Sequence, residues 1–432
     1  MMRRLYSIFF YLLLPAAFLR LFWRGRKAPA YRRRWAERLG WVPAMPGERP
    51  IWLHAVSVGE TLAAVPLVRA LQSRYPETPL LLTTTTPTGS ERVRATFGDS
   101  VHHVYAPYDL PSVVQRFLNR TRPQLVVVME TELWPNLFHA LRARGIPLLV
   151  VNARLSPRST RGYQRLGRLT RATIGCIDTI AAQSPADAER YAVLGATAQQ
   201  LVTTGNIKFD MTLPDDLAQA GQALRTGFGA QRPVWIAAST HEGEDEQVLA
   251  AHRQLLHRYP DLLLILVPRH PERFERVAVL CREQGFQLAR RSYGETGADA
   301  QVYLGDTMGE LMRMYAAADV AFVGGSLVPT GGHNLLEPAA LGLAPLSGPH
   351  LFNFQQIAEL LAAVETLTLV ADAAALAAQV ERLLAEPAMR RAAGERARQV
   401  VEDNRGALAR TLDLIALRLS AEVAGARPAA QE

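Results

Sequence analysis

The residues able to do chemistry gather where short apolar runs end and helical patterns begin. In His54-Ala55-Val56-Ser57-Val58-Gly59-Glu60-Thr61, Glu60 falls at a helix start with Ser57 just ahead of it. An acid there is favoured by the helix dipole, and the same carboxylate could serve as a general base. In Val127-Val128-Met129-Glu130-Thr131-Glu132-Leu133-Trp134-Pro135-Asn136, a strongly apolar run ends in two carboxylates. Glu130 and Glu132 share a direction only if the strand continues through both, and each is open to the other role, a cap or an arginine partner. Lys208, in Thr204-Gly205-Asn206-Ile207-Lys208-Phe209-Asp210, is either a cation at the rim of a site or a solvated linker lysine. The run 262–267 delivers Pro268, Arg269 and His270 ahead of Pro271. The arginine suits bidentate hydrogen bonding to phosphate, and the prolines stiffen its presentation. Gly324-Gly325-Ser326 and Gly331-Gly332-His333-Asn334-Leu335-Leu336-Glu337-Pro338 form a glycine-rich loop that lets backbone approach a nucleotide, with Glu337 placed to accept from ribose hydroxyls. Structural turns alone would also use such glycines. No Walker loop, no GxSxG elbow and no metal-ligand spacing appears, so no metal is expected.

Positioning these loops requires a particular scaffold. From Ile51 the chain alternates β-like runs with helical stretches. Strands are predicted at 51–54, 80–83, 101–105, 125–129, 148–151 and 179–182, then at 234–238, 262–267, 302–304, 320–323 and 344–346. Such alternation implies βαβ units, a parallel sheet, and ligand loops at the carboxyl ends of its strands. A pause at 210–229 separates two halves. The expected division is an anchor helix at 1–23, a first Rossmann-like domain at 24–210 (the acceptor-binding one by the resemblance described below), a linker at 211–230, a second, nucleotide-binding domain at 231–420, and a loose tail at 421–432. A length of 432 residues suits two domains of about 200 residues each.

An apolar content of 49% with 20% charged residues describes a globular chain. The formal charge of +8 is concentrated in the N-terminal segment, where residues 1–38 hold ten Lys/Arg against the single acid Glu37. The remainder is close to neutral, with no basic, aromatic-interleaved stripe, which argues against a nucleic-acid partner. Leu5 to Leu19 is almost wholly apolar and borderline in length for a bilayer span. The dense basic run after it opposes export, so the segment reads as a membrane anchor, spanning or interfacial, with the body in the cytoplasm and Arg24 to Arg38 meeting anionic lipid. A buried core helix is the other reading. Cys176 and Cys281 read as core residues of a reducing compartment.

At these loops the sequence resembles the Kdo (3-deoxy-D-manno-octulosonic acid) transferase family of Gram-negative bacteria. The strings that carry the resemblance are RGRKAPAYRRRWAERLG, HAVSVGE, TPTGSERV, METELWPN, STHEGE, PRHPERF, GDTMGEL, FVGGSL and GGHNLLEPAA, in order from about residue 24 to 355. The resemblance implies a GT-B fold, with two Rossmann-like domains facing across a cleft. It implies CMP-Kdo as donor, the tetraacyl disaccharide lipid A precursor (lipid IVA) as acceptor, and inversion at the transferred carbon. Glu60 would be the proton acceptor, and Glu130 and Lys208 would stabilise the transition state. Pro268, Arg269, Gly309, Glu310, Leu311, Asn334, Leu335, Leu336 and Glu337 would hold the CMP. The alternatives are another membrane-associated GT-B enzyme using a UDP-sugar and a non-catalytic, membrane-tethered nucleotide-binding protein.

Overall fold

The structure, a computed structural model, describes residues 1–45 and 49–425, with side chains to residue 420. It contains two compact units, Met1–Met211 with the chain from Arg405 onward, and Thr212–Asn404.

The first unit is built on strands β1 (Ile51–His54), β2 (Leu80–Thr84), β3 (His102–Tyr105), β4 (Leu125–Met129), β5 (Leu148–Ala153), β6 (Thr179–Ala182) and β7 (Leu201–Thr203), arranged β3-β2-β1-β4-β5-β6-β7. All pairs are parallel. The second unit holds β8 (Val234–Thr240), β9 (Leu263–Pro268), β10 (Leu288–Arg290), β11 (Val302–Leu304), β12 (Val320–Val323), β13 (Pro345–Ser347) and β14 (Thr368–Leu369), again all parallel, in the order β10-β11-β9-β8-β12-β13-β14. Helices cover both faces, so the central strands are buried on both sides and read as continuous apolar runs. Each sheet has a central switch point where the strand order reverses, between β1 and β4 and between β8 and β12, and in the second sheet β10 and β11 are also exchanged at the edge. Open parallel sheets bind ligands at such a switch point, outside the carboxyl ends of the strands.

Strands β7, β10 and β14 have no counterpart in the sequence reading. Each lies at a sheet edge and has two or three residues, too few to show a period. Two domain boundaries also change. Residues 211–230 are not simply a linker: Leu217–Phe228 is a helix of the second unit, and a Cβ on Gly221 would lie 2.5 Å from that of Ala316. The second unit ends at Asn404 rather than 420. The last helix, Ala407–Gly425, returns to the first unit, where Ile415 and Leu419 join the core formed by Leu67, Val68 and Leu71. The expected tail from 421 continues this helix to residue 425, and its remainder lies outside the described residues.

The helix Met2–Arg24 is long and apolar enough to cross a membrane. One face docks on the first unit. Ser7 Oγ donates to Asn136 Oδ1 (3.1 Å), Tyr11 and Ser112 share a hydroxyl hydrogen bond (2.7 Å), and Phe18 packs on Trp35 and Tyr108. The other face exposes Leu5, Ile8, Phe9, Leu12, Leu19 and Trp23. Two members of the basic cluster that follows turn inward instead of outward. Arg34 donates to the His103 carbonyl (2.9 Å), and Arg38, only 4% exposed, donates to that of Thr85 (2.9 Å) and lies over Tyr105. These two therefore brace the fold and do not meet lipid.

Candidate active site

In the first unit the switch point gathers one set of charges. Ser57 caps the helix Val58–Arg74 by accepting from the Glu60 backbone N–H (3.3 Å). The Glu60 carboxylate in turn accepts from Val56 N–H (2.7 Å) and Ser57 Oγ (3.0 Å), much as in a capping box. That reciprocal capping fixes the carboxylate's direction. Burial raises its pKa above the ordinary range, and the charge of Glu130 adds to the rise. The Val56 N–H, Ser57 and Arg154 oppose it. A half-buried, oriented carboxyl with a raised pKa is the form a general base takes.

Glu130 follows β4 directly, with φ at 57°, a left-handed conformation uncommon for a non-glycine residue. Its side chain is buried and accepts from Arg154 Nε (2.9 Å), the first residue after β5. The strand thus ends before Glu130, and pleat alternation does not govern the pair of acids. Glu132 nevertheless lies in the same field. Burial pushes its pKa up to about 7, with the charges of Glu60 and Glu130 adding to the rise, while the Trp134 indole N–H (2.9 Å) opposes it. Lys208 sits in the short turn Ile207–Phe209, which is fixed by Asn206 and by Asn152 Oδ1 accepting from Ile207 N–H (3.0 Å). Burial lowers the Lys208 pKa, against the attraction of Glu130 and Glu60. Glu60, Glu130 and Lys208, each drawn from a different loop, therefore share one electrostatic site. Arg154 was missed by the sequence reading although it is the first charge after an apolar strand, the same signal that marked Glu130.

The second unit repeats the plan at its own switch point. Thr240 ends β8, and His241 follows it; Arg269 and His270 follow β9; Gly324, Gly325 and Ser326 follow β12. Glu244, fully buried, accepts from the backbone N–H groups of His241 (2.8 Å), Gly325 (2.6 Å), Ser326 (2.9 Å) and Leu327 (2.9 Å), so it moulds the glycine loop. Asn334 Nδ2 donates to Glu337 Oε1 (3.2 Å). Burial raises the Glu337 pKa, opposed by Asn334 and by the positive charge of Arg269. Arg269 and the 334–337 segment thus act on one another, while Leu335 and Leu336 are buried beneath them. Gly309, Glu310 and Leu311 follow β11, next to β9 in the sheet. Glu310 is held by Arg291 (2.7 and 2.9 Å) and Thr307 (2.5 Å), and Arg291 keeps its pKa down at about 2. Its carboxylate is committed to these partners, so Gly309 and the 309–311 backbone are the freer part of that loop. Glu244 and His241 were not singled out from sequence as site residues; their signal was the STHEGE string after an apolar strand.

Two nucleotide-binding-type sheets, each with its charged residues at the switch point, define the class of GT-B glycosyltransferases. Residues 231–400 match the family model for group 1 glycosyl transferases. A glycosyltransferase from Rickettsia africae has the same fold, with a TM-score of 0.54 at 13% identity over 86% of this chain and 99% of that one.

Residues 33–211 match the family model for 3-deoxy-D-manno-octulosonic-acid transferase. The chain is 50% identical to the 3-deoxy-D-manno-octulosonic acid transferase of Haemophilus influenzae over 90% of its own length and 92% of that protein's. It is 40% identical to that of Bordetella pertussis over 96% and 98%. The chain belongs to the Kdo transferase family, and its activity is the transfer of a Kdo residue. This sets aside the non-catalytic alternative.

Proposed function

We propose that the protein transfers Kdo from CMP-Kdo to the lipid A precursor lipid IVA, with inversion at the transferred carbon. The observation that carries this reading is the Glu60 carboxylate, oriented by Val56 and Ser57 beside Glu130 and Lys208. Glu60 takes the proton from the acceptor hydroxyl as its oxygen attacks the sugar. Lys208 offers positive charge where negative charge develops, and Glu130 holds Arg154 and Lys208 in place and faces the cationic character that grows on the sugar. In the second unit Pro268, Arg269, the 309–311 loop and Asn334 to Glu337 hold the CMP. Arg269 balances charge on the leaving phosphate, and no metal is invoked.

The acceptor is an anionic glycolipid, which accounts for the N-terminal helix. We place it at the cytoplasmic face of the inner membrane, lying in the interface. A helix docked on a folded domain from Ser7 to Leu21 presents its apolar stripe sideways. A span would need that docked face to sit in lipid as well.

The test is transfer from freshly generated CMP-Kdo to lipid IVA in detergent, with mass and anomeric configuration read from the product. A product with the donor's configuration would overturn inversion. Transfer to other glycolipids but not to lipid IVA would overturn the acceptor. Faster transfer from UDP-sugars would overturn the donor. Wild-type activity in Glu60→Ala would remove Glu60 from the mechanism.

A further inference from the structure

Three histidines of the second unit meet around Arg269. His241 and His333 face each other Nε2 to Nε2 at 2.8 Å, with their ring planes 16° apart. His270 stands at a right angle to His241, with ring centroids 5.2 Å apart. All three histidines are half-buried. The seat of His333 is specific, because a Cβ on Gly325 would lie 2.7 Å from its ring. The backbone of His241 is held by Glu244.

A contact of 2.8 Å between two imidazole nitrogens needs one N–H and one lone pair. The pair can therefore be neutral or carry one positive charge, but not two. The other charged groups around it are Arg269, His270 and Arg273 from the segment after β9, Glu244 and Asp245 from the segment after β8, and Glu337 from the short helix Leu336–Ala340. Arg269 and His270 act on both rings, and Arg273 on His241. Burial disfavours the charged form of both rings and these neighbouring positive groups add to it, while the charge of Glu244 opposes it at His241. Glu244 and Glu337 are already engaged, the first by four backbone N–H groups and the second by Asn334. The free pair is thus held neutral beside an arginine, at the switch point where an anion would enter.

We propose that His241 and His333 form a one-proton anion site that takes up a proton when a phosphate monoester dianion binds against it. The inference rests on the donor reading above and extends it. A dianion brought against the pair restores the charged form, because opposite charge at hydrogen-bond distance favours ionisation. During transfer the bond between the sugar carbon and the phosphate oxygen breaks, and its electron pair stays on that oxygen. The phosphate passes from a diester monoanion to a monoester dianion. The acceptor proton goes to Glu60, and the histidine pair takes its extra proton from solvent as the dianion forms and donates it as a hydrogen bond to the leaving group without transferring it. The site therefore holds the leaving group more strongly than the donor phosphate, which is the preference transition-state stabilisation requires.

The test is calorimetric titration of the full-length protein in detergent with cytidine 5′-monophosphate at pH 7.5, in two buffers of different ionisation enthalpy. At this pH the nucleotide is already largely a dianion, since a phosphate monoester has a second pKa of about 6. The wild type is expected to take up close to one proton per nucleotide bound. His241→Asn and His333→Asn should abolish that uptake and weaken binding by about tenfold, the loss of one charge-assisted hydrogen bond. His270→Asn should keep the uptake. Nucleotide binding by the wild type without proton uptake would overturn the proposal while leaving the donor reading intact, and needs no variant. Uptake that persists in both folded pair variants, or is lost only in His270→Asn, would also overturn it. Failure of the folded wild type to bind the nucleotide would overturn the donor reading and this proposal together.

Discussion

Glu60 serves two purposes with one carboxylate, closing the N-terminus of its own helix and facing Glu130 and Lys208. Glu60→Gln keeps an acceptor for one of its two bonds, so its stability cost should be about 1 kcal/mol. Glu60 is the proposed general base, so the catalytic loss should be far larger: the turnover number should fall by about 10² to 10⁴ with CMP affinity unchanged, as a paired rate and binding measurement would show. The rate of the wild type should rise with pH through a Glu60 pKa that burial has raised, because the ionised form is the active one. Glu132 sets a second pH dependence, on stability. Its carboxyl is held up to about 7, so the folded state keeps a proton that the unfolded chain has already released. Stability is therefore lost as pH rises from the ordinary glutamate range to about 7, and the cost is complete above that. Glu132→Gln keeps an acceptor for the Trp134 indole N–H and cannot ionise. Its thermal midpoint should exceed that of the wild type at pH 8 and match it near pH 4, and equal midpoints at both would contradict this assignment.

The charges that matter for a membrane are organised by element, which total charge conceals. The helices Pro157–Arg165 and Arg168–Ile174 carry Arg158, Arg161, Arg165, Arg168 and Arg171 with no acid among them. Arg171 is exposed on Arg168–Ile174, one of the helices against which Met2–Arg24 packs. The near-neutral sum over the body hid this cluster, because acids elsewhere cancel it. Apolar stripe and arginines together suit an anionic lipid surface. Ile8→Glu with Leu12→Glu, both on the exposed face, should abolish cosedimentation with vesicles containing anionic lipid while leaving transfer in detergent near the wild-type rate. Replacing Arg158, Arg161 and Arg165 with Ala should weaken the same cosedimentation and reduce its dependence on salt. An unchanged salt dependence would exclude these arginines from the contact.

At the scale of the whole molecule, the chain's end belongs to the domain where the chain began. Asp210 accepts from Gly406 N–H (2.5 Å) and Leu408 N–H (2.6 Å), and so fixes the start of the last helix just after Lys208. The helix then buries Ile415 and Leu419 against the helix Val58–Arg74, which carries Glu60 in its first turn. Ile415→Ala should cost about 2–5 kcal/mol, and the lost stability should appear in the first unit. Hydrogen exchange would show faster opening of β1 and the helix Val58–Arg74, with β8 and β9 unaffected. Faster exchange confined to β8 and β9 would assign the helix to the other unit.

What the sequence determined by itself was local. Apolar runs buried on both faces of a parallel sheet have no alternation to blur them, so β1, β4, β8 and β9 and the loops after them were legible as strands feeding loops. Glu60, Glu130 and Arg269 were expected as site residues for the same reason, being charged residues at the ends of such runs, whereas Lys208 follows the edge strand β7 and was marked only by its place at the close of the first domain. What only the tertiary structure decided was non-local. Strand order makes neighbours of loops about 70 residues apart, and so puts Glu60 beside Glu130. The edge strands β7, β10 and β14 owe their existence to a neighbour's unpaired backbone. The inward turn of Arg34 and Arg38 depends on carbonyls and rings far along the chain, and the return of the last helix depends on a groove between elements. Periodicity and spacing act within a few residues, whereas these contacts arise from chain closure over tens to hundreds of residues, which no local pattern encodes.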